Sequence, residues 1–133
     1  MNPEQLERRG HEALVVRGSY PITATSDGSG NGKLPPHVTH ATVGVTTDAN
    51  DQVTLPSNVI GHRVTLVIGA TGAELICADA AAKINNVVCG ATNEAALTAD
   101  SHYLCECISA TEWIVRGVTA LGADQAALVP DAL

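Results

Sequence analysis

His62-Arg63-Val64-Thr65-Leu66-Val67-Ile68 is the stretch on which the fold class turns. Val64, Leu66 and Ile68 share one face at a period of two, the spacing of a β-strand laid against a core. Gly69-Ala70-Thr71-Gly72 follows and reads as a hairpin turn, with Glu74 to Cys77 leading out of it. Working outward toward the N-terminus, Val53-Thr54-Leu55-Pro56 is a short strand ended by proline. Before it, Thr39 to Thr47 alternates, with Val43 and Val45 on one face. Toward the C-terminus, Asp79 to Lys83 is alanine-rich and reads as a single helical turn, and 84–90 and 95–98 return to strand. His102 to Ile108 and Trp113 to Gly117 read as an antiparallel hairpin around 109–112. Tyr103, Cys105 and Cys107 line one face of it, with Trp113 and Val115 packed opposite.

Short strands at spacings of roughly ten residues, cut by turn signals, predict an all-β chain, a compact antiparallel β-sandwich or barrel. Thr65 to Ile68 is apolar on both faces, which predicts burial beyond one sheet face, as in an oligomer whose sheets pack between subunits. Three regions are expected. Residues 1–40 form an extended N-terminal arm and loop region, 41–118 the β-domain, and 119–133 an apolar C-terminal tail. The first region holds the apolar quartet Ala13-Leu14-Val15-Val16, an extended stretch through Tyr20-Pro21-Ile22, the flexible loop 26–33 and Pro35-Pro36. It reads either as an arm lying on another surface or as a loosely packed terminus.

Composition narrows the function. The chain has 133 residues, 16% charged and 45% hydrophobic, a globular composition of one-domain size. A domain of that length buries roughly 70% of its unfolded surface, so it folds without metal or disulfide. Aromatics are only 2%, with no Phe, so the core is Val, Ile, Leu and Ala, and an aromatic platform for sugars or single-stranded nucleic acid lacks material. The net charge of −7 repels phosphate backbones, so nucleic acid is not an expected partner. No apolar run approaches a membrane span, and the start, from Met1 to Arg9, lacks an apolar signal core. Synthesis in the cytosol is the expectation.

Motifs of catalysis and cofactor binding are absent from the sequence: no GxSxG, no Walker loop, no HExxH. The glycines at 28, 30 and 32 lack dinucleotide-fingerprint spacing. The expectation is a protein that is not an enzyme, with no cofactor and no metal. Cys77, Cys89, Cys105 and Cys107 read as small buried hydrophobes of a cytosolic protein, since their spacing is not that of a zinc ribbon. A Cys105–Cys107 bridge would be strained, because side chains two apart on a strand point in parallel. A Cys77–Cys89 bridge depends on whether their segments are neighbours, which spacing leaves open. His37 and His40 sit on Pro-flanked chain and read as loop histidines. Asp27, Asp48, Asn50 and Asp51 lack the order of a calcium-binding loop. Glu106 lies mid-strand on the face away from the cysteines, read as a solvated face or, alternatively, a pH-dependent subunit contact, with Arg116 across the hairpin within pairing reach.

Val53-Thr54-Leu55-Pro56, then Gly61-His62-Arg63-Val64-Thr65-Leu66-Val67-Ile68, then Lys83-Ile84-Asn85-Asn86, Ala96-Leu97-Thr98, Tyr103-Leu104-Cys105-Glu106-Cys107 and Trp113-Ile114-Val115 follow one another in order. Over about residues 43 to 117 this order resembles a structural module of tailed-bacteriophage virions, found in head decoration (cement) proteins and in head or tail fibres. The resemblance implies a virion location on the capsid surface, a homotrimer, and the major capsid protein as partner. A fibre or tail-associated receptor-binding component is the alternative it allows. For partner contacts, the candidates are Leu14, Val15, Tyr20, Pro21 and Ile22 on the N-terminal side and Leu128, Val129 and Pro130 on the C-terminal side. The bland alternative is that both segments cover their own core.

Overall fold

The computed structural model describes residues 18–44 and 48–132. They are all β, with one 3-10 turn at Gly30–Gly32 and no α-helix among the described residues. The strands are β1 (Tyr20–Ile22), β2 (His40–Val43), β3 (Gln52–Thr54), β4 (Arg63–Ile68), β5 (Ala73–Ile76), β6 (Lys83–Ile84), β7 (Val87–Val88), β8 (Asn93–Leu97), β9 (His102–Ser109), β10 (Glu112–Val118) and β11 (Asp131–Ala132). A seven-stranded sheet runs β1-β2-β4-β9-β10-β6-β7, and a four-stranded sheet runs β11-β8-β5-β3. Both contribute to one core, an arrangement consistent with a β-sandwich.

The strand that decided the fold class, β4, lies inside the large sheet between β2 and β9. Val64, Leu66 and Ile68 are buried, and β4 pairs antiparallel with β9 through Leu66 opposite Tyr103 and Val64 opposite Cys105. The expected hairpin of β9 and β10 is present, with Cys107 opposite Trp113 and Cys105 opposite Val115. Trp113 and Tyr103 are the largest fully buried side chains, and each has its polar end satisfied. Trp113 Nε1 donates to Asn58 Oδ1 at 3.1 Å, and the Tyr103 hydroxyl donates to Gln125 Oε1 at 2.9 Å. Burying two large rings in an otherwise aliphatic core adds area, and partners for their polar atoms remove the desolvation penalty.

Four features differ from the sequence expectations. The sheets are mixed rather than antiparallel: β1–β2, β2–β4, β3–β5 and β6–β10 are parallel pairs. Residues 69–72 do not close a hairpin, because β4 and β5 belong to different sheets and the chain crosses the core between them. Residues 79–83 form a turn rather than a helical turn, since β6 begins at Lys83. Residues 84–90 are not one strand. Asn85 and Asn86 have φ of 50° and 70°, which folds the stretch into a tight hairpin of β6 and β7. Asparagine tolerates the left-handed conformation that a two-residue hairpin turn requires.

Residues 20–38 pack onto the same body as the strands that follow. Ile22, Ala24, Leu34 and Val38 belong to the core cluster, and Gly44 N–H donates to the Ile22 carbonyl at 2.9 Å. The glycine loop closes over the small sheet: Gly28 has φ +74°, and a Cβ there would lie 2.4 Å from Thr54 Oγ1. The tail also docks on its own body. Gln125 Nε2 donates to Ser101 Oγ at 2.8 Å, Leu128 packs against the core, and β11 adds to the edge of β8.

Candidate interaction surface

The alternation that builds the core also builds an outer face. In β4, β9 and β10 the residues between the buried positions point away from the core, and Leu104 and Ile108 remain 42% and 48% exposed. A groove of about 420 Å³ crosses this face, lined by Arg63, Thr65, Leu104, Glu106, Ile114 and Arg116. In its middle, Arg63 Nη2 lies 3.3 Å from Glu106 Oε2. Glu106 therefore pairs with Arg63 on β4, not with Arg116, because Arg116 stands opposite Leu104 and Ile114 stands opposite Glu106. Beside the end of β9 lies the turn that precedes β4, where Val59 and Ile60 are 61% and 71% exposed and Gly61 N–H donates to the Cys107 carbonyl at 2.8 Å. Val59, Ile60 and Ile108 thus gather exposed apolar surface at one end of the large sheet, the kind of grouping that marks an interaction site more than scattered single residues do.

The expected contact residues divide. Leu14 and Val15 lie outside the described residues. Tyr20 and Pro21 are exposed on β1, at the edge of the large sheet. Ile22 is 3% exposed and faces the core, so it supports β1 from beneath. Val129 is exposed at the surface, Leu128 is half-buried, and Pro130 is buried. Beside the tail, Ala96, Thr98 and Gln125 to Val129 border a shallow depression of about 450 Å³. Leu104, Ile108, Val59 and Ile60 escaped the sequence reading. Leu104 and Ile108 carried a signal, since they occupy the alternate positions of a strand whose other face was already assigned inward.

The polar groups have mainly structural tasks. His62 Nε2 bonds to the Val38 carbonyl at 2.8 Å and its ring lies 5.8 Å from Trp113. His40 Nδ1 is 2.7 Å from Ser19 Oγ, which is 2.6 Å from Thr42 Oγ1. No carboxylate is bonded to that imidazole among the described residues, so the orienting third member of a nucleophilic triad is not assembled there. Asp27 Oδ1 accepts from the Ser29 hydroxyl and Ser29 N–H, bonds that hold its carboxyl below the ordinary range. Asp48 likewise accepts from Asn50 N–H at 2.9 Å, so both acids shape loops.

Among the described residues one acidic group is buried. Glu94, 3% exposed, accepts from Gln52 Nε2 at 2.8 Å and stands opposite Asp131 across β8 and β11. Burial, then the charges of Glu94 and Asp131, push the nearby Glu74 carboxyl up. Gln52 Oε1 has no partner among the described residues. No group of three or more His, Cys, Asp or Glu side chains is gathered for a metal ion among the described residues. All four cysteines are free and buried. Burial pushes the Cys105 thiol up to about 12 and also raises Cys107. No helix is long and apolar enough to cross a membrane among the described residues. Compared with known proteins, the chain matches no family, no curated protein and no solved structure.

Proposed function

We propose that this chain is a capsid decoration protein of a tailed bacteriophage, which binds the assembled head shell through the major capsid protein and stabilises it. In this reading it is made in the host cytoplasm, assembles as a homotrimer and resides on the capsid surface, with the N-terminal segment reaching along a neighbouring subunit. The observation that carries the reading is the open outer face of the seven-stranded sheet, where Leu104 and Ile108 stand exposed beside Val59 and Ile60. Cementing a shell requires area and shape rather than reacting groups, and a broad sheet face supplies area at small chain length. Exposed Tyr20 and Pro21 at one edge offer a second contact, and several contacts engaged together multiply avidity. The order of motifs from residue 43 to 117 supports the same reading.

Quantitative mass spectrometry of purified particles from the source tests it. Hundreds of copies per particle are expected, together with particles that rupture sooner under heat or low salt when the chain is missing. A few copies per particle would replace decoration by a fibre or tail-associated role. Particles equally robust with and without the chain would end the cementing proposal.

A further inference from the structure

Cys77 lies one residue past β5, on the small sheet, and Cys89 one residue past β7, at the far edge of the large sheet. Their segments are neighbours in space. Cys77 N–H donates to the Cys89 carbonyl at 3.4 Å, Cys89 N–H donates to the Ala82 carbonyl at 3.0 Å, and Cys89 Sγ donates to the Leu75 carbonyl at 3.2 Å. A single backbone N–H···O=C bond between two residues holds their Cα atoms roughly 5–6 Å apart, inside the span that a disulfide bridges. Cys105 and Cys107 offer no comparable pair, since they stand two apart on one face of β9.

We propose that Cys77 and Cys89 are a disulfide-forming pair, closed by a low-molecular-weight disulfide once the protein leaves a reducing compartment, and that the bridge staples the small sheet to the edge hairpin of the large one. The staple is independent of what the outer face binds. One of the two cysteines, as its thiolate, attacks one sulfur of the small disulfide and expels a thiolate. The other gives its proton to that thiolate and attacks the protein sulfur of the mixed disulfide, expelling the second thiolate, which takes up the proton released when the first cysteine ionised. Two protein thiols are oxidised and one small disulfide is reduced to two thiols. Cys77 and Cys89 are 7% and 2% exposed, so the reaction proceeds through local opening of the edge hairpin, whose strands are two residues each.

The test uses the full chain, purified reduced and then held in oxidised glutathione. The expected product loses two hydrogens in mass and carries no glutathione. Trypsin cuts at Lys83, between the two cysteines, so the bridge links fragments 64–83 and 84–116 until reduction. Because the second fragment also holds Cys105 and Cys107, fragmentation of the linked wild-type peptide locates the bond, with Cys89 as the expected site. Cys89→Ala abolishes the link and Cys105→Ala retains it. The oxidised chain melts several degrees above the reduced one, because the cross-link restricts the unfolded chain. A link placed at Cys105 or Cys107, or glutathione adducts without a link, would overturn the pairing. A Cys77–Cys89 link without a rise in melting would overturn the stapling role.

Discussion

Asn85 shows how much one side chain can hold. Its Nδ2 donates to the Val115 carbonyl at 2.9 Å and to the Leu128 carbonyl at 2.7 Å, while Val115 N–H donates to its Oδ1 at 2.9 Å. A single amide thus ties the edge hairpin, β10 and the tail together. Asn85→Ala strands partly buried backbone groups and should lower stability by about 2–4 kcal/mol, read as a denaturation midpoint. Gly117 faces Tyr103, and a Cβ there would lie 2.5 Å from Gln125 Oε1 and 2.7 Å from the Tyr103 ring. Gly117→Ala therefore pushes the ring out of place and should cost about 1–3 kcal/mol in the same measurement, like other overpacked core sites. The raised carboxyl of Glu74 makes a prediction in pH. A folded-state pKa above the unfolded one gives stability that is complete below the ordinary carboxylate range and is lost as pH rises through the raised value. Melting temperature should fall across that window, and Glu74→Gln should flatten the profile. An unchanged slope in the variant would reject Glu74 as the source.

At the level of elements, the two-residue turn of Asn85 and Asn86 is the clearest departure from a pattern reading. Apolar residues on both sides of it, Ile84 and Val87, make one continuous strand in sequence, and only the paired positive φ values break it. Glycine meets no steric penalty at positive φ, so Asn86→Gly should raise stability by a few tenths to about 1 kcal/mol, against a loss for Asn86→Ala. Thermal melts of the two variants check the order. The crossing from β4 to β5 departs for a different reason. Glycines at 69 and 72 announced a turn, and a turn is there, but its residues do not decide whether the next strand pairs with the last or joins the opposite sheet. That choice lies in β9, which claims the flank of β4 through Leu66 opposite Tyr103.

For the whole molecule, the N-terminal segment is the place where chain order and packing part company. Deleting residues 1–17 leaves every described strand intact, whereas deleting residues 1–24 removes β1 together with buried Ile22 and Ala24. The second truncation should lose about 2–5 kcal/mol relative to the first, since it uncovers Ala41 and Val43 on β2 and opens a core side. If the N-terminal segment is the shell-binding arm, the first truncation alone abolishes particle binding. Retained binding assigns contact to the described body, with the outer face of the large sheet as its first candidate.

The sequence by itself determined the all-β class, the inward face of β4, and the β9–β10 hairpin with Tyr103, Cys105 and Cys107 on the same buried face as Trp113 and Val115, because each follows from a period of two within a few residues. Tertiary structure alone decided the parallel pairs, the division into two sheets, the Arg63–Glu106 ion pair and the meeting of Cys77 with Cys89. Strand alternation states which face is buried but not which neighbour lies alongside. Side-by-side placement depends on how distant segments share one core, and that is a property of the assembled whole rather than of any stretch of it.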